Sequence, residues 1–294
     1  MSDQHNPPKL TSLQIPPLAP LPPTSREFKF TDQDFDRVKK MIYDYAGIAL
    51  SDGKQDMVYG RLAKRLRHHK LASFADYLSM LERGNAAEWE AFINSLTTNL
   101  TSFFREGHHF PVLADLLKAH KGDGQLNIWC AASSTGEEPY TLAMTACEAF
   151  DTLRPNVRIV ATDLDTNVLK IAEAGIYPAD RFEKITPAQK QRFFNVLPDG
   201  QFQVKQELRS LITFRRQNLI DATWQVRGPL DAIFCRNVMI YFDRQTQLNI
   251  LQRFMPMLKP HGLLFVGHSE NLYQANHLFS LVGKTVYKLA NAPK

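Results

Sequence analysis

The feature that most constrains this chain is the alternation of short apolar runs and amphipathic stretches that sets in after Gly122-Asp123-Gly124. Ile128-Trp129-Cys130, Arg158-Ile159-Val160-Ala161, Ile212-Thr213-Phe214, Asp231-Ala232-Ile233-Phe234 and Leu263-Leu264-Phe265-Val266 have the length and side chains of buried strands. Helical patterns cover 137–150, 166–174 and 244–258, the last ending before the stop signal Lys259-Pro260-His261-Gly262. Strand, helix and strand in repetition demand a doubly wound α/β fold, a parallel sheet covered on both faces. Residues 177–211 break the rhythm. There Thr186-Pro187-Ala188-Gln189 opens a short helix and Asp199-Gly200-Gln201-Phe202-Gln203-Val204 reads as a hairpin, so a small antiparallel β insertion is expected. No period of 20 to 50 residues repeats, which sets aside solenoids and propellers.

Upstream the pattern is helical. Phe35, Val38, Met41, Ile42 and Tyr45 recur every three or four residues before Gly47, a second helix is predicted at 55–69, Ser73 caps a third, and Trp89, Phe92, Ile93 and Leu96 mark a fourth. The expected organisation is a helical domain over 27–96, a linker over 97–107 that contributes to the site, and a sheet domain over 108–294. Residues 1–26 hold seven of the 17 prolines and read as a disordered tail. No run reaches the roughly 18 apolar residues of a membrane span, and Met1-Ser2-Asp3-Gln4-His5 lacks the order of a secretory signal, so a cytoplasmic protein is expected. Cys130, Cys147 and Cys235 form no CxxC pair and are expected to be reduced thiols, and no His or Cys group has metal-ligand spacing.

Charge is uneven. From Arg37 to Lys70 nine lysines and arginines face three aspartates, a local +6 against +5 for the whole chain. On the second helix Arg61, Lys64, Arg65 and His68 share the face beside Val58, Leu62 and Leu66. A localised basic surface calls for an acidic partner.

In open α/β sheets the ligand sits at the carboxyl ends of the strands. The first turn here, Cys130-Ala131-Ala132-Ser133-Ser134-Thr135-Gly136-Glu137-Glu138-Pro139, has neither GxGxxG nor a phosphate-loop lysine. Glu137 and Glu138 would repel a pyrophosphate and attract a cation. S-adenosylmethionine meets that requirement: it carries no phosphate, it has sulfonium and ammonium charges, and the small residues of the turn allow close approach. Asp163, ending the second strand, is placed to accept from ribose hydroxyls; the alternative, that these acids only cap the next helix, applies more to Asp165 than to Asp163.

Five stretches in order carry a resemblance: Leu96-Thr97-Thr98-Asn99-Leu100-Thr101-Ser102-Phe103-Phe104-Arg105-Glu106, Ala132-Ser133-Ser134-Thr135-Gly136-Glu137-Glu138-Pro139-Tyr140, Ala161-Thr162-Asp163-Leu164-Asp165, Cys235-Arg236-Asn237-Val238-Met239-Ile240-Tyr241-Phe242 and Gly267-His268-Ser269-Glu270-Asn271. With them the chain resembles the CheR family of chemotaxis receptor methyltransferases over about residues 30–290. The resemblance implies a Rossmann-like S-adenosylmethionine-dependent methyltransferase fold with an N-terminal helical domain and a small β insertion. It also implies methyl transfer to glutamate side chains of methyl-accepting chemotaxis receptors, with S-adenosylhomocysteine as product and feedback inhibitor. By motif position it puts cofactor contacts at Asn99, Thr101, Arg105, Glu138, Asp163, Asn218, Leu219, Asn237 and Val238, with Arg105 and Tyr241 facing the reacting centre. The connection between Phe194 and Glu207 is short for members that dock a receptor tether peptide, so no tether docking is expected. A monomer recruited to membrane receptor arrays is.

Methylation of a glutamate needs no general base, because a carboxyl of pKa about 4.3 is already ionised at neutral pH. Alignment and exclusion of water supply the acceleration, which accounts for the lack of a Ser-His-Asp or paired-acid constellation. In this reading Arg105 holds the incoming carboxylate, Tyr241 shapes the methyl path, and Arg61, Lys64, Arg65 and His68 dock an acidic receptor helix. A nucleic-acid methyltransferase is the first rival, set aside because Arg236-Asn237-Val238-Met239 replaces the [D/N/S]-P-P-[Y/F] loop of amine methylators. A non-catalytic S-adenosylmethionine sensor is the second.

Overall fold

The computed structural model describes residues 26–290, so the expected proline-rich tail lies, but for Arg26, outside the described residues. Four helices come first: α1 (Asp32–Ala46), α2 (Gln55–His69), α3 (Phe74–Glu82) and α4 (Ala86–Leu96). Their starts are written locally. Thr31 and Asp34 form a reciprocal capping box on α1, the Ser73 hydroxyl accepts from the Asp76 N–H on α3, and the Asn85 side chain accepts from the Glu88 N–H on α4. Val38, Ile42, Val58, Leu62, Leu66, Phe74, Leu78 and Phe92 close one core between them. Burying apolar side chains of this size stabilises by roughly 1.5–3 kcal/mol each.

The rest of the chain runs α5 (His109–Ala119), β1 (Leu126–Cys130), α6 (Glu137–Ala149), β2 (Val157–Asp163), α7 (Thr166–Ala174), β3 (Ile176–Tyr177), α8 (Pro187–Phe193), β4 (Phe194–Val196), β5 (Phe202–Val204), α9 (Gln206–Arg209), β6 (Ile212–Arg216), β7 (Leu230–Cys235), α10 (Arg244–Phe254), β8 (Leu258–Val266), β9 (Phe279–Gly283) and β10 (Val286–Leu289). The main sheet has the order β6-β2-β1-β7-β8-β10-β9. Its first five strands are parallel, whereas β10 runs antiparallel to both β8 and β9. Chain order reverses between β1 and β7, which puts the ligand crevice at their carboxyl ends.

Three features depart from expectation. Helix α5 and the hairpin β9–β10 were not anticipated, and the hairpin makes the sheet mixed rather than wholly parallel. The supposed stop signal lies inside β8. The helix already ends at Phe254, a 3-10 turn containing Pro256 follows, and Lys259-Pro260-His261-Gly262 absorb a register shift between the pairs Leu230↔Leu258 and Ala232↔Leu263. Lys259 and His261 earn that irregularity a function, because both engage the buried Asp231 carboxylate, at 2.9 and 3.0 Å. The insertion folds as the antiparallel sheet β3-β5-β4, and Phe182, Phe193, Phe194 and Phe202 join Phe103 and Tyr177 in the core under β1 and β2.

Candidate active site

A cleft of about 490 Å³ opens where the carboxyl ends of β1, β2 and β7 meet the helical domain. Asn99, Thr101, Arg105, Glu138, Asp163, Asn218, Leu219, Asn237, Val238 and Tyr241 all line it. The helical domain supplies the remaining wall and is tied across the opening. The Ala49 N–H donates to the Tyr241 carbonyl (2.8 Å), Asn218 Nδ2 to the Tyr45 carbonyl (2.6 Å) and the Tyr43 hydroxyl to Asp243 (2.6 Å).

The turn after β1 is shaped by its backbone. Ser134 takes φ 48° and Gly136 φ 98°, and a Cβ on Gly136 would come within 2.7 Å of the Tyr177 hydroxyl and 2.8 Å of Ala172 Cβ. So bent, the turn aims the Ser134 N–H at Asp163 Oδ2 (2.8 Å), while the Asp165 N–H donates to Oδ1 (2.9 Å). Burial nevertheless pushes the Asp163 carboxyl up to about 6, more than these N–H bonds lower it. The two aspartates divide their work. Asp165 caps α7 through the N–H groups of Asn167 and Val168, and its second oxygen accepts from Thr97 Oγ1 and Asn99 Nδ2, both at 2.8 Å. Asn99 thus anchors the linker, and its own carbonyl accepts from Ser134 Oγ at 3.0 Å.

The glutamate pair also separates. Glu138 faces the cleft, but Glu137 does not: it is buried against Thr135 Oγ1 (2.6 Å) with Arg181 at 3.7 Å, and burial raises its pKa. Only one of the two acids expected to attract a cation is therefore placed to do so. The helical pitch separates neighbouring side chains by about 100°.

Behind Glu138 lies a residue to which sequence reasoning gave no role. Arg236, buried, donates from Nη1 to Glu138 Oε2 (2.6 Å) and from Nη2 to the Arg105 carbonyl (2.5 Å), and stands 3.5 Å from Glu106 Oε2. It thereby positions both Glu138 and Arg105. Glu106 Oε1 accepts from Asn237 Nδ2 (3.2 Å) and pairs with His268 Nδ1 (3.0 Å). Burial would raise Glu106, yet His268 and the Arg236 charge overcome it and bring the carboxyl down to about 2. Glu270 completes the strand end. Its carboxylate accepts the backbone N–H groups of Asn237, Val238, Met239 and Gly267, holding Asn237 at φ 56°. A Cβ on Gly267 would fall 2.9 Å from the Asn237 backbone nitrogen as well as 2.3 Å from its Nδ2, so glycine suits this position. Both Arg236 and Glu270 lie within the stretches that carry the family resemblance; a lone arginine and a lone acid flanking the apolar strand ends were the available signal.

Arg105 spends Nη1 on the Leu100 carbonyl (2.6 Å), while its other side-chain donors and the Tyr241 hydroxyl have no hydrogen-bond partner among the described residues. Glu106, His108 and His109 bring ligand atoms within 4.8 Å of one another, but Arg236 already neutralises that carboxylate. The proposed docking face does not stand as four equivalent cations. Arg61 turns inward to the carbonyls of Leu96 (2.9 Å) and Thr97 (2.7 Å) at the end of α4, and Arg65 grips the buried Glu88; only Lys64 and His68 are exposed. A helix's last carbonyls lack intrahelical partners, which is why an arginine one helix away is drawn to them.

The donor set fits S-adenosylmethionine: carboxylates at Asp163 and Glu138, apolar walls at Leu164, Leu219 and Val238, and no phosphate loop. Comparison with known proteins agrees. The CheR methyltransferase SAM binding domain matches residues 99–288, and the CheR methyltransferase all-alpha domain matches residues 33–97. Chemotaxis protein methyltransferase 2 of Pseudomonas aeruginosa is 50% identical over 273 residues, covering 90% of this chain and 96% of that protein. The chemotaxis protein methyltransferase of Escherichia coli is 50% identical over 264 residues, covering 88% and 92%, and that of Borreliella burgdorferi is 36% identical over 269 residues, covering 88% and 94%. Two matched domains that together span nearly all the described residues, in the order in which the helical domain and the cleft are built, show that the chain belongs to the CheR methyltransferase family.

Proposed function

We propose that the protein transfers the methyl group of S-adenosylmethionine to glutamate side chains of methyl-accepting chemotaxis receptors, giving glutamate methyl esters and S-adenosylhomocysteine. The observation that carries this reading is the pairing of Arg105 and Tyr241 in a cleft that also holds Asp163 and Glu138. The cofactor supplies an electrophilic methyl on a sulfonium. The chain's own residues do the rest: Asp163 accepts from the ribose, Glu138 faces the cationic end, and Asn99, Thr101, Asn218, Leu219, Asn237 and Val238 frame the bound nucleoside. The unspent Arg105 donors hold the incoming carboxylate in line, and the Tyr241 ring borders the methyl path. No proton has to move before attack.

Lys64 and His68, exposed on α2, are the two cations of the basic face left to meet an acidic receptor helix, and recruitment to membrane receptor arrays runs through such protein contacts. The short connection between β4 and β5 argues against tether-peptide docking on the insertion, and this reading takes the protein as a monomer. The test is incubation with methyl-labelled S-adenosylmethionine and receptor-bearing membranes. Label should reside on receptor protein and leave as methanol in mild alkali, and Arg105→Ala should slow incorporation on the order of 100-fold. Alkali-stable label means an amine acceptor; cofactor binding without any label means a sensor.

A further inference from the structure

The connection from β6 to β7, residues 217–229, contains no helix, although a parallel crossover normally carries one. The sheet face beneath it is consequently open near the β6 edge. Arg158 and Val160 alternate with the buried Ile159 along β2, and the register Val160↔Thr213, Thr162↔Arg215 puts Arg215 of β6 on that same face. A cleft of about 570 Å³ results, separate from the methyl-donor cleft and lined by Asn127, Arg158, Arg215, Trp224, Gln225 and Arg227 among others. A bare sheet face would ordinarily be apolar and covered. Here Arg158 and Arg215 of the sheet and Arg227 of the connection bring three guanidinium groups to the cleft, none in an ion pair or side-chain hydrogen bond among the described residues, and no carboxylate lines it. The buried Asp231, whose carboxylate accepts from the N–H of the lining residue Asn127, is already engaged by Lys259 and His261.

The wall between the two clefts is built. Gln217 accepts from the Gln225 N–H (2.9 Å), Trp224 Nε1 donates to the Leu219 carbonyl (3.1 Å), and the Arg253 guanidinium lies 3.8 Å from the Trp224 ring centroid. Gln217 and Leu219 line the donor cleft on one side, while Trp224 and Gln225 line the arginine cleft on the other.

We propose that the arginine cleft binds a small molecule carrying two or more phosphate groups. Three guanidinium forks without protein partners match several phosphate oxygens better than one carboxylate, and the volume is in the range of organic ligands rather than of a single ion. Val160 and Trp224 offer contact to an organic portion. Two sources share this chemistry, a nucleoside polyphosphate and inorganic polyphosphate.

The full chain is titrated calorimetrically with ATP, with tripolyphosphate and with adenosine. Because the donor cleft itself accepts an adenosyl group, the protein is first saturated with S-adenosylhomocysteine. ATP and tripolyphosphate are expected to bind with micromolar affinity that weakens as salt rises, and adenosine not to bind. ATP binding several-fold tighter than tripolyphosphate identifies the nucleoside source; equal affinities identify the phosphates alone. The variant Arg158→Gln/Arg215→Gln/Arg227→Gln should lose at least about tenfold in affinity for both, since it removes all three charge-assisted contacts at once. All three side chains are exposed, so the variant should fold, and unchanged S-adenosylhomocysteine affinity verifies that it has. Absence of binding by ATP and tripolyphosphate at millimolar concentration overturns the proposal, as does wild-type affinity in the triple variant.

Discussion

Each half of the molecule buries a carboxylate against an arginine, and the two networks are finished differently. In the helical domain Glu88 receives everything it can accept: Arg65 in a two-pronged grip, His69 at 2.7 Å and the Tyr77 hydroxyl at 2.7 Å. Burial alone would raise Glu88, but the hydrogen bonds from Arg65, His69 and Tyr77 win and lower it. In the sheet domain Arg236 holds Glu138 and the Arg105 carbonyl, yet its Nε and Glu106 Oε2 have no hydrogen-bond partner. Buried polar atoms without a protein partner are costly, and these two sit beside Glu138 and Arg105, which line the cleft. The contrast separates a network that pins α2, α3 and α4 together from one that borders a ligand cleft and keeps spare capacity.

Arginine removal should break the contrast most sharply at Arg236. Arg236→Met leaves Glu138 a buried charge without its cation and Glu106 with only His268 and Asn237, which costs about 3–5 kcal/mol of stability. It also releases the Arg105 backbone, so S-adenosylhomocysteine affinity should fall on the order of 100-fold in calorimetry at a temperature where the variant is folded. Retained affinity would reduce Arg236 to a packing residue. Arg65→Ala should cost less, about 2 kcal/mol in denaturant unfolding, because His69 and Tyr77 still hold Glu88 and Arg65 is itself partly exposed. Its cofactor affinity should be unchanged; a parallel loss would mean that the helical-domain network reaches the cleft.

Much of this was legible in the chain because the signals were local. The Ser73 cap on α3 and the Asp165 cap with Gly175 at the two ends of α7 act within one turn of where they stand, while the apolar periodicity of 55–69 sufficed for α2, which has no side-chain cap. Of the expected site positions, Glu138 and Asp163 could be read from the turn and the strand end that carry them, whereas Asn99, Thr101, Arg105, Asn218, Leu219, Asn237, Val238 and Tyr241 rested on the family resemblance, and all of them line the one cleft. What stayed hidden depends on long-range pairing. The hairpin β9–β10 is read only by knowing that β8 has a free edge, and the strand character of Lys259-Pro260-His261-Gly262 depends on Asp231 across the ladder. The fate of Arg61 and Arg65 was equally invisible: their spacing on α2 states which face they share, but not that α4 offers that face a buried glutamate and a row of unpaired carbonyls.

Proton concentration separates the two halves without any mutation. Asp163 stands at about 6, raised by burial, so the folded chain holds this proton more tightly than an unfolded chain with its reference near 3.9. Its contribution therefore favours folding at low pH and is lost as pH rises from about 4 through about 6. Glu88 has the opposite sign. Its lowered carboxyl contributes stability above the unfolded value near 4.3 and loses it only as pH falls below that value. A ribose hydroxyl donates more strongly to the ionised Asp163 than to its protonated form, so S-adenosylhomocysteine affinity should be level above about pH 6 and weaken by up to tenfold per pH unit beneath it, while the helical domain stays folded. Calorimetric affinities from about pH 7.5 down to about pH 5, paired with far-ultraviolet circular dichroism at each point, make the measurement. Asp163→Asn should be weaker throughout and flat across that range. A flat profile in the unaltered protein would remove Asp163 from the ribose contact and assign it, like Asp165, to holding the turn.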